Sequence, residues 1–135
     1  MIKRQVSKLG VILGVTIVLV FSCKKKDTDY RDAYVGTWIF NVHRTVFNSD
    51  SIGHYYHDSI HYEGKIAYGE LANEILIKYT AENSITLTIG GDGLLSNFPS
   101  HYCSGEFLSN NRLHLYLRWG GLGGGMIHQI EGMKK

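Results

Sequence analysis

Short runs in which apolar and polar residues alternate make up most of the chain after residue 33. In the first run, residues 34–47, large apolar side chains share one face: Trp38, Phe40, Val42 and Val46. Thr37, Asn41, His43 and Thr45 share the other face. A period of two is the pattern of a strand with one buried face, because successive strand side chains point to opposite sides. The run therefore predicts a strand that enters a core.

Seven similar runs follow, separated by turn signals: HYYHDSIHY (54–62), KIAYGE (65–70), EILIKY (74–79), ITLTI (85–89), HYCSGEFL (101–108), RLHLYLRW (112–119) and MIHQIEGM (126–133). Glu63–Gly64 is predicted to be a tight turn between the first two. About eight short strands with short connections predict an all-β domain, an antiparallel up-and-down meander. Such a meander removes its sheet edges by closing into a small barrel, with an open sheet or a sandwich as the alternative.

The first 23 residues have a different pattern. Lys3, Arg4 and Lys8 precede an apolar run of 13 residues at 9–21, and Ser22-Cys23 follows it. A positive start before a short apolar run is the layout of a secretory signal. The run is shorter than the roughly 20 residues that span a bilayer as a helix. We therefore expect residues 1–22 to be a helical signal segment.

The end of this run, Val20-Phe21-Ser22-Cys23, resembles the lipobox of bacterial lipoproteins, with Phe21 bulkier than the usual residue. The resemblance implies that a lipid is attached to the thiol of Cys23 and that Cys23 becomes the first residue after cleavage. Residues 23–33 would then be the lipidated cysteine and a polar tether. Each buried methylene of an acyl chain contributes about 0.8 kcal/mol, so several chains are needed for a stable anchor.

The charge balance excludes one class of partner. From Tyr30 onward the chain has eight Lys and Arg against ten Asp and Glu. Nucleic-acid binding relies on clustered positive charge that neutralises phosphates. The sequence therefore predicts that the protein does not bind nucleic acid, and that its membrane contact is the lipid anchor.

The opening of the first strand, Gly36-Thr37-Trp38, resembles the G-x-W motif of lipocalin-like proteins. Together with the signal and the meander, it resembles the lipocalin-like lipoproteins of the Bacteroidetes, in which glycine-rich turns such as GGLGGG (120–125) precede a final strand. The resemblance covers residues 34–135, which form the predicted barrel domain. It implies that Trp38 closes one end of the barrel and that an arginine, Arg118 or Arg112, packs across it.

The segment HYYHDSIHY is the main candidate for chemistry. On a strand, His57 and His61 share a face but lie about 13 Å apart, which is too far for one metal ion. One ligand from this strand would need partners on its neighbours; the candidates are His57, His61, Glu63 and His43. The alternative is a polar, solvent-facing stripe opposite Tyr56, Ile60 and Tyr62. We predict the stripe, with no bound metal and no cofactor.

These observations predict a non-enzymatic, lipid-anchored protein of the cell envelope, facing the periplasm or the cell surface and held most plausibly at the outer membrane. Its barrel would bind a small apolar or amphipathic ligand at the end opposite Trp38. The candidate ligand-binding residues are Phe40, Val42, Val46, Tyr56 and Tyr79. The alternative function is a structural or interaction lipoprotein with a filled barrel whose outer face docks an envelope partner.

Overall fold

The computed structural model describes residues 27–48, 56–97, 102–121 and 123–135, and these form eight antiparallel strands that close into one barrel in chain order. The strands are β1 Gly36–Asn48, β2 Tyr56–Tyr68, β3 Glu74–Lys78, β4 Ser84–Ile89, β5 Leu94–Ser96, β6 Cys103–Ser109, β7 Arg112–Gly121 and β8 Gly124–Lys134. A 3-10 helix, Tyr30–Ala33, precedes β1. The predicted up-and-down barrel is confirmed. Over the same ranges, no helix is long and apolar enough to span a membrane.

The signal segment and Cys23 lie outside the described residues, as do His54 and Tyr55.

One predicted turn is wrong, although the number of strands is unchanged. Glu63 and Gly64 lie inside the continuous strand β2, and the short strand β5 was not predicted. A side chain at position 64 would meet the Lys78 carbonyl oxygen at 2.0 Å and the Phe40 ring at 2.9 Å. The glycine therefore allows close packing within the barrel wall. A glycine inside a strand can mark such a close approach and does not by itself indicate a turn.

The lower part of the barrel is filled by the apolar residues that the alternation places inward. Among the described residues, the apolar side chains with at most 1% of their surface exposed are Trp38, Phe40, Val42, Ile66, Ile75, Ile77, Tyr79, Leu87, Ile89, Leu115, Leu117 and Ile130. Such a packed interior is expected of a barrel with eight strands, whose inside is just wide enough for side chains. The sequence predicted three of these positions, Trp38, Phe40 and Val42, because period two holds along this part of β1.

The barrel wall is uneven in height. The adjacent strands β7, β8, β1 and β2 have 10, 11, 13 and 13 residues, and we call them the tall wall. The strands β3, β4 and β5 have only five, six and three residues. The pairing of β2 with β3 begins at Lys65 and continues only to Tyr68. The inner face of the tall wall therefore extends beyond the packed core at the end where β1 finishes and β2 begins, which we call the mouth.

The 3-10 helix lies across the opposite end. Its Arg31 is buried and donates from Nη1 to the carbonyl oxygens of Leu71 and Glu74, both at 2.9 Å. The guanidinium also pairs with Asp29 at 2.6 Å and lies 4.9 Å from the centre of the Tyr68 ring. The segment from Asp29 to Ala33, which was predicted to be part of a polar tether, thus packs on the barrel.

Trp38 lies at this closed end and is fully buried, and its Nε1–H donates to the Tyr34 carbonyl oxygen at 2.7 Å. The arginine expected to pack across it is not Arg118. Arg118 pairs with Ile127, which pairs with Thr45, seven residues along β1 from Trp38. Arg118 is exposed and lies 5.6 Å from the centre of the Phe47 ring. Arg112 is also exposed, because both arginines alternate with the buried leucines of β7.

We expect Trp38→Ala to lower the free energy of unfolding by about 3–5 kcal/mol, because it leaves a large cavity in a packed core. The whole free energy of unfolding of a small domain is only about 5–15 kcal/mol, so the variant should be marginally stable or unfolded. Urea unfolding of residues 27–135 measures the loss. Trp119→Ala is the matched control and should lose markedly less, since Trp119 is 39% exposed. Equal stability of Trp38→Ala and the parent would contradict the role of Trp38 in closing the barrel.

Candidate functional site at the barrel mouth

A row of inward-facing side chains at the top of the core is polar. Arg44 continues the inward phase of Trp38, Phe40 and Val42 along β1. Its register partners are Asp58 on β2 and His128 on β8. Tyr79, at the end of β3, contacts His128 from the other side of the barrel. We call Arg44, Asp58, Tyr79 and His128 the polar floor.

Arg44 and Asp58 form a two-point ion pair. Arg44 Nε donates to Asp58 Oδ1 at 2.7 Å, and Nη2 donates to Oδ2. The side chains are 28% and 22% exposed, so the pair is partly shielded from water. Hydrogen bonds from Arg44 lower the pKa of Asp58, and those same bonds raise the pKa of Arg44. Both groups are therefore charged at neutral pH, and their charges cancel locally.

Tyr79 and His128 form the second pair. The Tyr79 hydroxyl lies 3.1 Å from His128 Nδ1, and both residues are 1% exposed. Burial raises the pKa of Tyr79 to about 12 and lowers the pKa of His128, with the charge of Arg44 adding to the latter effect. Both side chains are therefore neutral near pH 7. His128 Nε2 is buried and makes no hydrogen bond to the described residues.

A second inward-facing row lies one step nearer the mouth. Tyr56, Val46, Met126 and Trp119 are consecutive register partners across the tall wall. We call these four residues the rim. Tyr56 is 59% exposed, and Val46 and Trp119 are each 39% exposed. The arrangement is a partly exposed apolar surface directly above a polar floor.

Trp119 connects the two rows. Its ring meets the His128 ring edge to face, with 4.8 Å between the centroids. It also lines a hollow of about 470 Å³, together with Val46, Met126 and neighbouring backbone that includes Gly124 and Gly125. The ring of His128, whose Nε2 has no hydrogen-bond partner among the described residues, therefore packs against an indole that also lines the hollow.

The predicted ligand-binding residues fall into two groups. Val46 and Tyr56 lie in the rim, where they pair across β1 and β2. Phe40 and Val42 are fully buried in the packed core, below the polar floor, and Tyr79 is buried in the floor itself. Phe40 and Val42 therefore support the site from beneath, because the barrel is filled at their level.

Sequence reasoning missed Arg44, Asp58, His128 and Trp119 as site residues. The signal was present, because Arg44 and Trp119 continue the inward phases of Val42 and Leu117. A charged residue in phase with a buried face indicates a buried partner. The partners could not be read from the sequence, since the register of β1 against β2 and β8 is a property of the fold.

The histidine segment forms an outward stripe. The strand assignment is confirmed for residues 56–62. His61 Nδ1 lies 2.7 Å from Asn41 Oδ1, and His43 Nδ1 lies 2.8 Å from the hydroxyl of Ser59. His57 Nδ1 is 3.0 Å from the hydroxyl of Thr45. These are cross-strand polar pairs on the outer face of the barrel.

Metal coordination needs several ligands around one point. Within ranges 27–48, 56–97, 102–121 and 123–135, no group of three or more His, Cys, Asp or Glu residues could hold a metal ion. His57 and His61 are instead separated along β2, and each faces its own partner on β1.

No family model, no curated protein and no solved structure matches this chain significantly. Function must therefore be argued from the geometry of the chain itself.

The buried neutral state of His128 predicts a loss of stability in mild acid. Its pKa is lowered by folding from an ordinary value of 6.5, so below that pH the unfolded chain binds more protons than the folded one. The free energy of unfolding should therefore fall as the pH drops through about 6.5 toward 5, by at most about 1.4 kcal/mol per pH unit for this one group. The pKa of Asp58 is lowered from 3.8, so protonation of this carboxylate reduces the free energy of unfolding only in stronger acid.

Urea unfolding at several pH values tests this assignment. His128→Gln should flatten the decline between pH 7 and 5, whereas the same substitution at exposed His114 should change it little. A decline in His128→Gln as steep as that of the parent would show that His128 is not the responsible group.

Proposed function

We propose that this protein is a lipid-anchored protein of the cell envelope, and that it binds a small apolar or amphipathic ligand at the barrel mouth. One observation carries the ligand-binding part: the rim presents partly exposed Val46, Tyr56 and Trp119 above a polar floor. Ligand sites typically combine an apolar lining with a few placed polar groups, and they occur in the mouths of barrels. The filled lower barrel confines this ligand to the mouth.

The anchoring part rests on the sequence. The apolar run at residues 9–21 and Ser22-Cys23 are the features that support a lipidated cysteine. They imply attachment to a membrane, for which the outer membrane is our proposal, with the barrel in the periplasm or at the cell surface.

A second function is favoured by a different surface. A groove of about 510 Å³ lies on the outer face of the barrel, where Ile39, Leu108 and Met133 stand among polar residues that include Asn41 and Glu131. Leu108 is 58% and Met133 59% exposed. Exposed apolar surface of this kind is characteristic of protein contacts. The second proposal is therefore an interaction lipoprotein that docks an envelope partner on this groove.

Replacing Cys23 with Ala tests the anchor. The variant should lose metabolic labelling by a fatty-acid analogue and should leave the detergent phase in phase partitioning, because the acceptor thiol is gone. Cys103→Ala is the matched control and should keep both properties, since Cys103 is buried in the barrel core. Continued labelling and partitioning of Cys23→Ala would overturn the anchor assignment.

Tryptophan fluorescence tests ligand binding, because the chain has two tryptophans at opposite ends of the barrel. A ligand at the mouth should change the emission of Trp119 and leave that of buried Trp38 unchanged. Titration with fatty acids, sterols and haem-like compounds should therefore give a response that Trp38→Phe keeps and Trp119→Phe loses. A folded barrel that responds to none of them would reject ligand binding at the mouth and favour the docking function.

A further inference from the structure

In the polar floor, His128 offers a hydrogen-bonding position that no described residue fills. His128 Nδ1 faces the Tyr79 hydroxyl, while His128 Nε2 is buried and makes no hydrogen bond to the described residues. A buried polar atom without a partner is costly, so native structures rarely leave one unexplained. The imidazole ring that carries this atom packs edge to face against the indole of Trp119, and Trp119 also lines the mouth hollow.

We propose that the mouth binds an amphipathic ligand whose head is an uncharged hydroxyl group, and that this hydroxyl bonds to His128 Nε2 while the apolar part lies on the rim. The proposal rests on the proposed ligand-binding function and names the class of ligand. The ligand head takes the place of the Trp119 ring against His128. Binding therefore requires the Trp119 ring, which is 39% exposed, to turn toward solvent.

The chemistry of the two imidazole nitrogens favours a hydroxyl. If the Tyr79 hydroxyl donates to Nδ1, then Nε2 carries the proton and needs an acceptor. If Nδ1 carries the proton and donates a hydrogen bond to the Tyr79 oxygen, then Nε2 is unprotonated and needs a donor. A hydroxyl group can serve in either case. A carboxylate can only accept, and a quaternary ammonium can do neither.

The charges around the floor disfavour an ionic head. The nearest cation, Arg44, is already paired at two points with Asp58. Glu82, in the β3–β4 connection, adds another negative charge that acts on Arg44. A carboxylate placed at His128 would therefore bring a charge without a free counterion into a shielded site, which is costly. A cation would find the carboxylate of Asp58 already paired with Arg44.

The rim fits the rest of such a ligand. Val46 and Met126 provide aliphatic surface. Once the Trp119 ring has turned, it can cover the alkyl chain of the ligand. The hollow is open on one side, so an alkyl chain can extend out of the mouth. The ligand is thus bound by apolar contact along its length and by one directional hydrogen bond at its head.

Three ten-carbon probes with different heads test the proposal: decan-1-ol, decanoate and decyltrimethylammonium. The full chain is placed in phosphatidylcholine vesicles at about pH 8, where decanoate is ionised. Binding is followed by tryptophan emission against the measured aqueous concentration of each probe, with protein-free vesicles as the blank. We expect decan-1-ol to bind most tightly, and His128→Phe to weaken its binding about three- to tenfold, the value of one ordinary hydrogen bond.

The same substitution on the outer face, His114→Phe, is the matched control and should leave all three affinities unchanged. His128→Phe should leave the affinities of the two ionic probes nearly unchanged as well. His128→Leu, which has a smaller side chain, repeats the test should the phenylalanine variant fail to fold.

The outcomes separate this proposal from the function on which it rests. If decanoate or the ammonium probe binds as tightly as decan-1-ol, the mouth binds ligands but the hydroxyl assignment is overturned. The hydroxyl assignment is also overturned if both His128 variants bind decan-1-ol as tightly as the parent does. If no probe changes the emission of the parent, ligand binding at the mouth fails and the assignment of the head fails with it.

Discussion

The pairing of β1 with β8 is the contact on which the rest of this structure depends. It runs from Trp38 opposite Lys134 to Asn48 opposite Gly124, and it joins the first strand of the meander to the last. Without it, the meander would be an open sheet with two long free edges, which invite pairing with other chains. The same pairing fixes β1 in the centre of the tall wall. A slip of one residue would turn every inward side chain of β1 outward.

Along β1 this constraint orders three environments. Trp38, Phe40 and Val42 fill the barrel, Arg44 follows at the level of the polar floor, and Val46 reaches the rim. Apolar burial drives the first of these, since each large side chain contributes about 1.5–3 kcal/mol. Arg44 is tolerated at the next position because Asp58 on the neighbouring strand meets it at two points. The site is therefore built from the same alternation that builds the core.

The period-two pattern was sufficient to predict the strands and their buried faces, because in a small barrel each wall has one wet side and one packed side. It failed at Gly64, where a glycine that resembles a turn residue instead makes room for the Phe40 ring and the Lys78 backbone. The polar floor could not be predicted from the sequence, for a different reason. Tyr79 and His128 are 49 residues apart, and only the closed arrangement of strands brings them together.

Arg31 illustrates the same limit in the segment before β1. It follows a run of charged residues that reads as a solvated tether, yet it is buried and holds two carbonyl oxygens of the β2–β3 connection. Arginine suits this position because its planar group offers several donors in fixed directions. No local pattern in the sequence distinguishes such an arginine from an exposed one, since its acceptors are backbone atoms some 40 residues further along the chain.

If Cys23 carries a lipid, as proposed, the attachment of the 3-10 helix to the closed end also bears on the orientation of the barrel. The chain enters the barrel at Asp29, and Cys23 precedes it by six residues, which reach about 20 Å at most when fully extended. A lipid on Cys23 would therefore hold the barrel by its closed end, with the mouth directed away from the supporting bilayer. A ligand would then reach the mouth from the aqueous compartment or from another protein on that side. The barrel would take up its ligand from the side away from the membrane that anchors it.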